Sequence, residues 1–224
     1  MSPRNVQKDL QLRKERTLHI LDAALQTIAK RGIDSTNIKD IAREANLSVG
    51  NIYNYFSSKD DIFSEVLLRG QTAYGKTLED LASLDADPRI KLLEFCKGWL
   101  SNESNWAFTI MLQSIRTNQT VNPEIRAAAT QRFTGNLEPL AEIIRQGQAD
   151  GTLIAGDSRQ LAFYFVSLIQ GLTLQLAPGY EIPVHINPSE IVALFLSADT
   201  PLPETDPSTS AKLFRFQNKK MFDK

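Results

Sequence analysis

Leu18, Leu21, Leu25 and Ile28 recur at three- and four-residue steps, and that spacing returns along nearly the whole chain. A 3.6-residue period with no sustained alternation of apolar and polar residues limits the fold to packed helices. Gly32 is the C-terminal stop of the first helix. Ile38, Ile41, Ala42 and Ala45 repeat the pattern over a shorter stretch, and Ile52, Tyr53 and Phe56 mark a third, short helix. Ser58 with Asp61 reads as a capping box that opens a fourth, running to about Leu81. Beyond Asp87-Pro88, helices are expected at roughly 89–102, 105–117, 123–149, 157–177 and 188–198. Asn122-Pro123, Asp150-Gly151 and Pro178-Gly179 punctuate them. The expectation is an all-α protein in three units. Residues 1–59 form an N-terminal three-helix unit. Residues 60–199 form a larger helical unit, and residues 200–224 a Pro/Ser/Thr-rich linker with a basic, aromatic tail.

Composition removes several function classes. No apolar run approaches the ~20 residues that span a bilayer, so no membrane partner is expected. The polar N-terminus lacks the apolar stretch of a signal peptide, which points to the cytoplasm. Cys96 is the sole cysteine and lies in an apolar helical pattern, where a small buried hydrophobe is the simplest role. His19 and His185 lie on separate segments, and no Cys/His spacing suits a metal. No GxSxG, P-loop or GxGxxG is found, so neither an enzyme nor a cofactor is expected. The net charge of −1 is unevenly spread. Residues 1–59 carry ten basic against six acidic side chains, a net of +4, which leaves −5 for the remainder. A basic head on an acidic body suits a phosphate-binding module joined to a module with another task.

The stretch TNIKDIAREANLSVGNIYNYF, Thr36 to Phe56, makes the head specific. Ala42 is small enough for one short helix to cross closely over another. Asn46 sits in the turn, where a left-handed backbone is expected and Asn, after Gly, tolerates it best. Ser48 is a natural N-cap, and Leu47 and Ile52 face the small core. Val49, Gly50, Asn51, Asn54 and Tyr55 then fall on a nearly uncharged, hydrogen-bonding outer face. Gly50 costs up to about 1 kcal/mol in a helix, which close approach of another surface would justify. Asn51, Asn54 and the hydroxyls of Tyr53 and Tyr55 suit base edges or phosphate oxygens. Lys59, with the free N–H groups of the helix it opens, suits a phosphate, as do Thr36 and Asn37 one helix earlier.

Those residues carry a resemblance. ILDAALQTIAKRG, STNIKDIAREANLSVGNIYNYF and SSKDDIF resemble, in order and spacing, the DNA-binding domain of the TetR (tetracycline-repressor-like) regulators. Asn46 stands where that family usually has Gly. The resemblance implies that residues 1–59 are an N-terminal three-helix, helix-turn-helix DNA-binding domain and residues 60–199 a larger helical ligand-binding and dimerisation domain. It implies an all-helical homodimer that binds palindromic double-stranded DNA operators, usually as a repressor released by a small-molecule effector. It implies that Val49, Gly50 and Asn51, with Lys39, meet bases. It implies that Thr36, Asn37, Ser48, Tyr53, Tyr55 and Lys59 meet the backbone.

In the body, Leu161, Phe165, Leu168, Leu172 and Leu176 form a long apolar stripe, and neighbouring positions are apolar too. A helix apolar nearly all round must be buried on several sides, and a twin chain is one way to do so. With Ile191, Leu194 and Phe195 these residues are the expected dimer interface. Trp99, Trp106, Phe108, Met111, Phe133 and Phe163 suit a tolerant apolar effector pocket, with Gln113 and Arg116 as polar groups. The alternative is a DNA-binding factor of the same fold, controlled by a protein partner or architectural in role. A cavity open to solvent favours the sensor.

Overall fold

The computed structural model describes residues 6–102, 104–179, 181 and 183–203. Of the expected linker and tail, 200–224, residues 204–224 lie outside them. Among the described residues the chain is all-α. The helices are α1 (Val6–Arg31), α2 (Ile38–Glu44), α3 (Val49–Tyr53), α4 (Lys59–Ser83), α5 (Pro88–Ser101), α6 (Asn105–Thr117), α7 (Pro123–Gly135), α8 (Leu137–Ala149), α9 (Ser158–Gln175) and α10 (Pro188–Ala193). No described helix is long and apolar enough to cross a membrane.

Local chemistry sets the boundaries. Gly32 leaves α1 at φ +81°, and Asn46 takes φ 53° in the turn between α2 and α3, as the sequence requires. Asn37, Ser48, Ser58, Asp87, Asn122, Asp157 and Asn187 each accept a backbone N–H at a helix start. The Asp61 carboxylate reaches back one residue further than a capping box requires, accepting from the Ser57 N–H and hydroxyl.

Two expected helices are different in the structure. The long helix at 123–149 is two, α7 and α8, divided at Asn136. Pro139 has no N–H to offer the Gly135 carbonyl, so the ladder breaks there. Asn136 donates instead to the Gln71 carbonyl of α4 at 2.8 Å. The last helix stops at Ala193 rather than near 198. Residues 195–197 leave it to pair with 152–154: the Ile154 N–H donates to Phe195 O, and the Ser197 N–H to Thr152 O, both at 3.0 Å. These bonds form an isolated antiparallel bridge.

One apolar cluster runs from Ile20 in α1 to Phe195 beyond α10. In the head, Leu21, Leu25 and Ile28 of α1 meet Ile41, Ile52 and Phe56. In the body, α8 packs on α4 and α9, and α6 lies between α1, α7 and α9. Cys96 is fully buried in this cluster, and burial pushes its thiol pKa up to about 12, as expected of an inert apolar residue.

Candidate nucleic-acid interface and effector cavities

α3 is five residues long and is held by its underside. Ile52 is fully buried, Val49 and Tyr55 pack partly against the core, and Ser48 caps the first turn through Asn51 N–H at 3.1 Å. That leaves Ser48, Gly50, Tyr53 and Asn54 exposed, with Tyr53 54% accessible. A β-carbon on Gly50 would meet nothing within 4 Å, so no intramolecular contact requires glycine there. Asn51 is half-buried, and its Oδ1 is buried without a hydrogen-bond partner. An orphaned acceptor of this kind costs about 1–3 kcal/mol, a cost that turning the amide to the outer face would relieve. Asn37 and Lys39 are exposed at the start of α2.

Two of the residues expected to meet the backbone are engaged within the chain; one of them, Thr36, is corrected, and Lys59 is only partly free. Thr36 is buried, and its hydroxyl donates to Gly32 O at 2.7 Å, where it satisfies a carbonyl at the end of α1. It shapes the loop and cannot itself reach a phosphate. Lys59 is half-buried, and its Nζ donates to Ile33 O (3.3 Å) and Thr36 O (3.1 Å) while lying 5.3 Å from the Phe63 ring centre. Two of its three donors pin the α1–α2 loop to α4, which leaves one for an outside partner. The sequence reading also missed Arg13. Its Nη2 donates to Asn54 O at 3.3 Å, and its guanidinium lies 5.0 Å from the Tyr55 ring centre. Its separation from α3 in sequence hid this contact.

Among the described residues, two cavities of the body lie where an apolar pocket was expected. The inner one holds only about 10 Å³, enough for a single water. Trp99, Phe108 and Phe133 line it, as expected, together with Gln71, Tyr74 and Gln170. The last three were missed, although Gln71 and Gln170 stand out as polar residues on otherwise apolar helical stripes. Gln71 is engaged through both ends of its amide: it donates to Ala129 O and accepts from Arg132 Nε, both at 2.8 Å. Tyr74 stands edge-on to Phe95 and Trp99, with ring centres 5.5 and 5.2 Å away. Its hydroxyl is buried without a partner, and burial pushes its pKa well above the usual phenol value. The outer cavity is open to solvent, holds about 450 Å³, and is lined by Gln26, Ser101, Asn102, Trp106 and Thr173 among others. Between the two, Trp99 Nε1 donates to Thr173 Oγ1 at 2.9 Å.

Four expected pocket residues lie elsewhere. Met111 is buried core outside both linings. Gln113 is exposed because it falls on the outer side of α6. Arg116 covers the outer face of Phe133, 4.4 Å from its ring centre. Phe163 is 44% exposed and meets Phe133 edge-on. The interface set is corrected likewise. Phe165, Ile191 and Phe195 are buried within the chain, where Phe165 packs on Phe95 and Phe195. Leu161, Leu168, Leu172 and Leu176 are half-buried, and Leu194 is 65% exposed. Tyr164 and Gly171 join them on the open side of α9.

Head and body also meet through hydrogen bonds. The Asp34 carboxylate in the α1–α2 loop accepts from Thr120 Oγ1 (2.8 Å) and from Asn118 Nδ2 (2.8 and 3.0 Å). The Thr120 hydroxyl first, and then the Asn118 amide, hold Asp34 below the usual carboxylate range.

Comparison with known proteins agrees with this geometry. Residues 20–66 match the profile of the bacterial regulatory proteins of the tetR family. The transcriptional regulator AcrR of Shigella flexneri is 36% identical over 88 residues, 39% of this chain and 41% of that protein. The match thus spans well under two thirds of that relative's length. The fatty acid metabolism regulator protein of Bacillus subtilis (strain 168) is 26% identical over 153 residues, 67% of this chain and 77% of that protein. The structure of AibR in complex with isovaleryl coenzyme A and operator DNA shares the fold. Its TM-score is 0.60 at 20% identity, over 80% of this chain and 94% of that one. Residues 20–66 thus match the tetR family of bacterial regulatory proteins, and the chain shares the all-helical fold of the AibR structure.

Proposed function

We propose that this chain is a ligand-responsive transcriptional regulator that binds a two-fold-symmetric DNA operator as a homodimer and is released by a small, largely apolar effector. It represses where that operator overlaps a promoter. The observation that carries the reading is the outer face of α3. It exposes Gly50, Tyr53 and Asn54 beside half-buried Val49 and Asn51, on a module of the tetR family. On this reading Val49, Gly50 and Asn51 meet base edges, with Lys39 beside them. Asn37, Ser48, Tyr53, Asn54, Tyr55 and the remaining donor of Lys59 meet phosphates. Residues 1–59 then act as the reading head and residues 60–199 as the sensing and dimerising body.

The effector reading rests on the cavities. About 450 Å³ is within the range of small-molecule sites, and the outer cavity opens to solvent. The inner chamber places an unpartnered Tyr74 hydroxyl among aromatic rings. An effector with an apolar part and one hydrogen-bonding atom would fit if Trp99 and Phe108 give way. AibR, of the same fold, carries an acyl-coenzyme A together with operator DNA. α4 runs from the head's loop to this chamber, and the Asp34 contacts with Asn118 and Thr120 join the same two regions. A ligand that binds one arrangement of these elements better than the other shifts DNA affinity by that difference.

The test is selection of a binding site from random duplex DNA, followed by a screen for compounds that release it. A two-fold-symmetric site and at least one releasing compound are expected. An unsymmetrical site, or operator binding that no cavity-binding compound changes, overturns the corresponding half of the reading.

A further inference from the structure

The family profile begins at residue 20, yet α1 begins at Val6. Every residue from Val6 to Arg16 is exposed, and the buried part of α1 begins at Leu18. Residues 6–17 therefore form about 18 Å of helix, at 1.5 Å per residue, standing clear of the core. These turns are propagated from the packed part of α1 and expose their whole circumference, so they are open to a partner surface. Val6 and Leu10, 64% and 62% exposed, continue at helical spacing the stripe that is buried from Leu21 onward.

The arm is fixed at its root. Arg13 donates to the Asn54 carbonyl and lies over Tyr55, so it grips the C-terminal end of α3. Arg16 is one turn from Arg13 on the same face, and Lys14 borders it; both are exposed. Residues 6–17 hold four basic side chains (Lys8, Arg13, Lys14, Arg16) and two acidic ones (Asp9, Glu15), a net of +2.

We infer that the first three turns of α1 are a DNA-contacting arm, which carries Arg13, Lys14 and Arg16 to backbone phosphates outside the base pairs read by α3. The inference rests on the DNA-reading role of α3. A duplex is the occupant because the arm's root is bonded to the end of α3 that carries Tyr53, Asn54 and Tyr55, the proposed phosphate contacts. Its charge complements a polyanion and carries no sequence information, so it adds affinity without changing base preference.

The experiment uses the full-length protein and its selected operator as synthetic duplexes, with and without one added helical turn at each end. Binding is measured across a salt series, with hydroxyl-radical footprints on the longer duplex. Two variants are compared: Arg13→Gln/Lys14→Gln/Arg16→Gln, and Lys14→Gln/Arg16→Gln, which leaves the Arg13 grip on α3 in place. Both are expected to flatten the log-affinity against log-salt line by about 0.9 for each phosphate that is no longer neutralised. Both are also expected to lose protection at the outer edges of the footprint and the affinity gained from the longer duplex. The conservative Arg13→Lys/Lys14→Arg/Arg16→Lys variant should keep the wild-type slope. An unchanged slope and footprint in the folded double variant overturns the arm and leaves α3's role intact. So does a change in oligomeric state with no change in slope, which would assign the arm to a second copy. Wild-type protein that binds no duplex overturns both readings.

Discussion

At the scale of single residues, the informative positions are those where the folded chain gains nothing from the residue it keeps. Gly50 is one. Nothing lies within 4 Å of its missing β-carbon, so Gly50→Ala should leave the fold intact and stabilise it by up to about 1 kcal/mol through helix propensity. Operator affinity should fall in the same variant, because the added methyl stands between α3 and the groove. Thermal melts and gel shifts on one preparation check both signs, and unchanged affinity would remove Gly50 from the interface. Tyr74 is another such position. Its buried hydroxyl has no partner, so Tyr74→Phe should recover part of a desolvation cost of about 1–3 kcal/mol and raise the melting temperature. Affinity for a releasing compound should fall if that hydroxyl is its anchor, as titration calorimetry would report. Asn51→Ala should relax preference at one base pair by about 1–3 kcal/mol in a repeated site selection.

At the scale of elements, α4 and the α6–α7 loop connect chamber to head. Gly70 lets α6 lie close: a β-carbon there would sit 2.2 Å from Phe108 Cε2. Gly70→Val should therefore overpack the α4–α6 contact and cost about 1–3 kcal/mol in chemical denaturation. The loop contact carries a pH dependence. The folded state lowers the Asp34 pKa, so the contact stabilises the joined loops above the ordinary carboxylate range. That contribution is lost as pH falls through the lowered value. Hydrogen exchange in residues 33–37 should accelerate over that window in the wild type. In Asp34→Ala exchange should be fast throughout, and a releasing compound should still bind while displacing less DNA. Exchange insensitive to both changes would show that the two loops are joined by apolar packing alone.

At the scale of the whole molecule, the proposed homodimer has its interface on the open side of α9. Tyr164, Leu168, Gly171, Leu172 and Leu194 place apolar and small groups where no described element covers them fully. Gly171 has open space around it, which would let a second helix approach closely. Leu172→Glu should shift sedimentation from dimer to monomer and weaken operator binding with it, because one head reads only half a symmetric site. A variant that stays dimeric places the interface on another surface.

Periodicity and punctuation determined the all-helical class, nearly every helix, and the α2–turn–α3 unit, down to the left-handed Asn46 and the Ser48 cap. These follow from local rules: spacing, capping and backbone freedom act within a few residues. Where a local rule was overlooked, as with Pro139, a helix was misread. Tertiary structure decided whatever depends on which side of a helix meets which neighbour. Thr36 and Thr120 are both short hydroxyl residues near a loop, yet one is folded under Gly32 and the other bonds Asp34. Phe163 and Phe165 are equally apolar, yet one faces out and the other packs on Phe95. Apolar character says that a side chain will seek cover; the arrangement of helices around it determines whether its own chain supplies that cover.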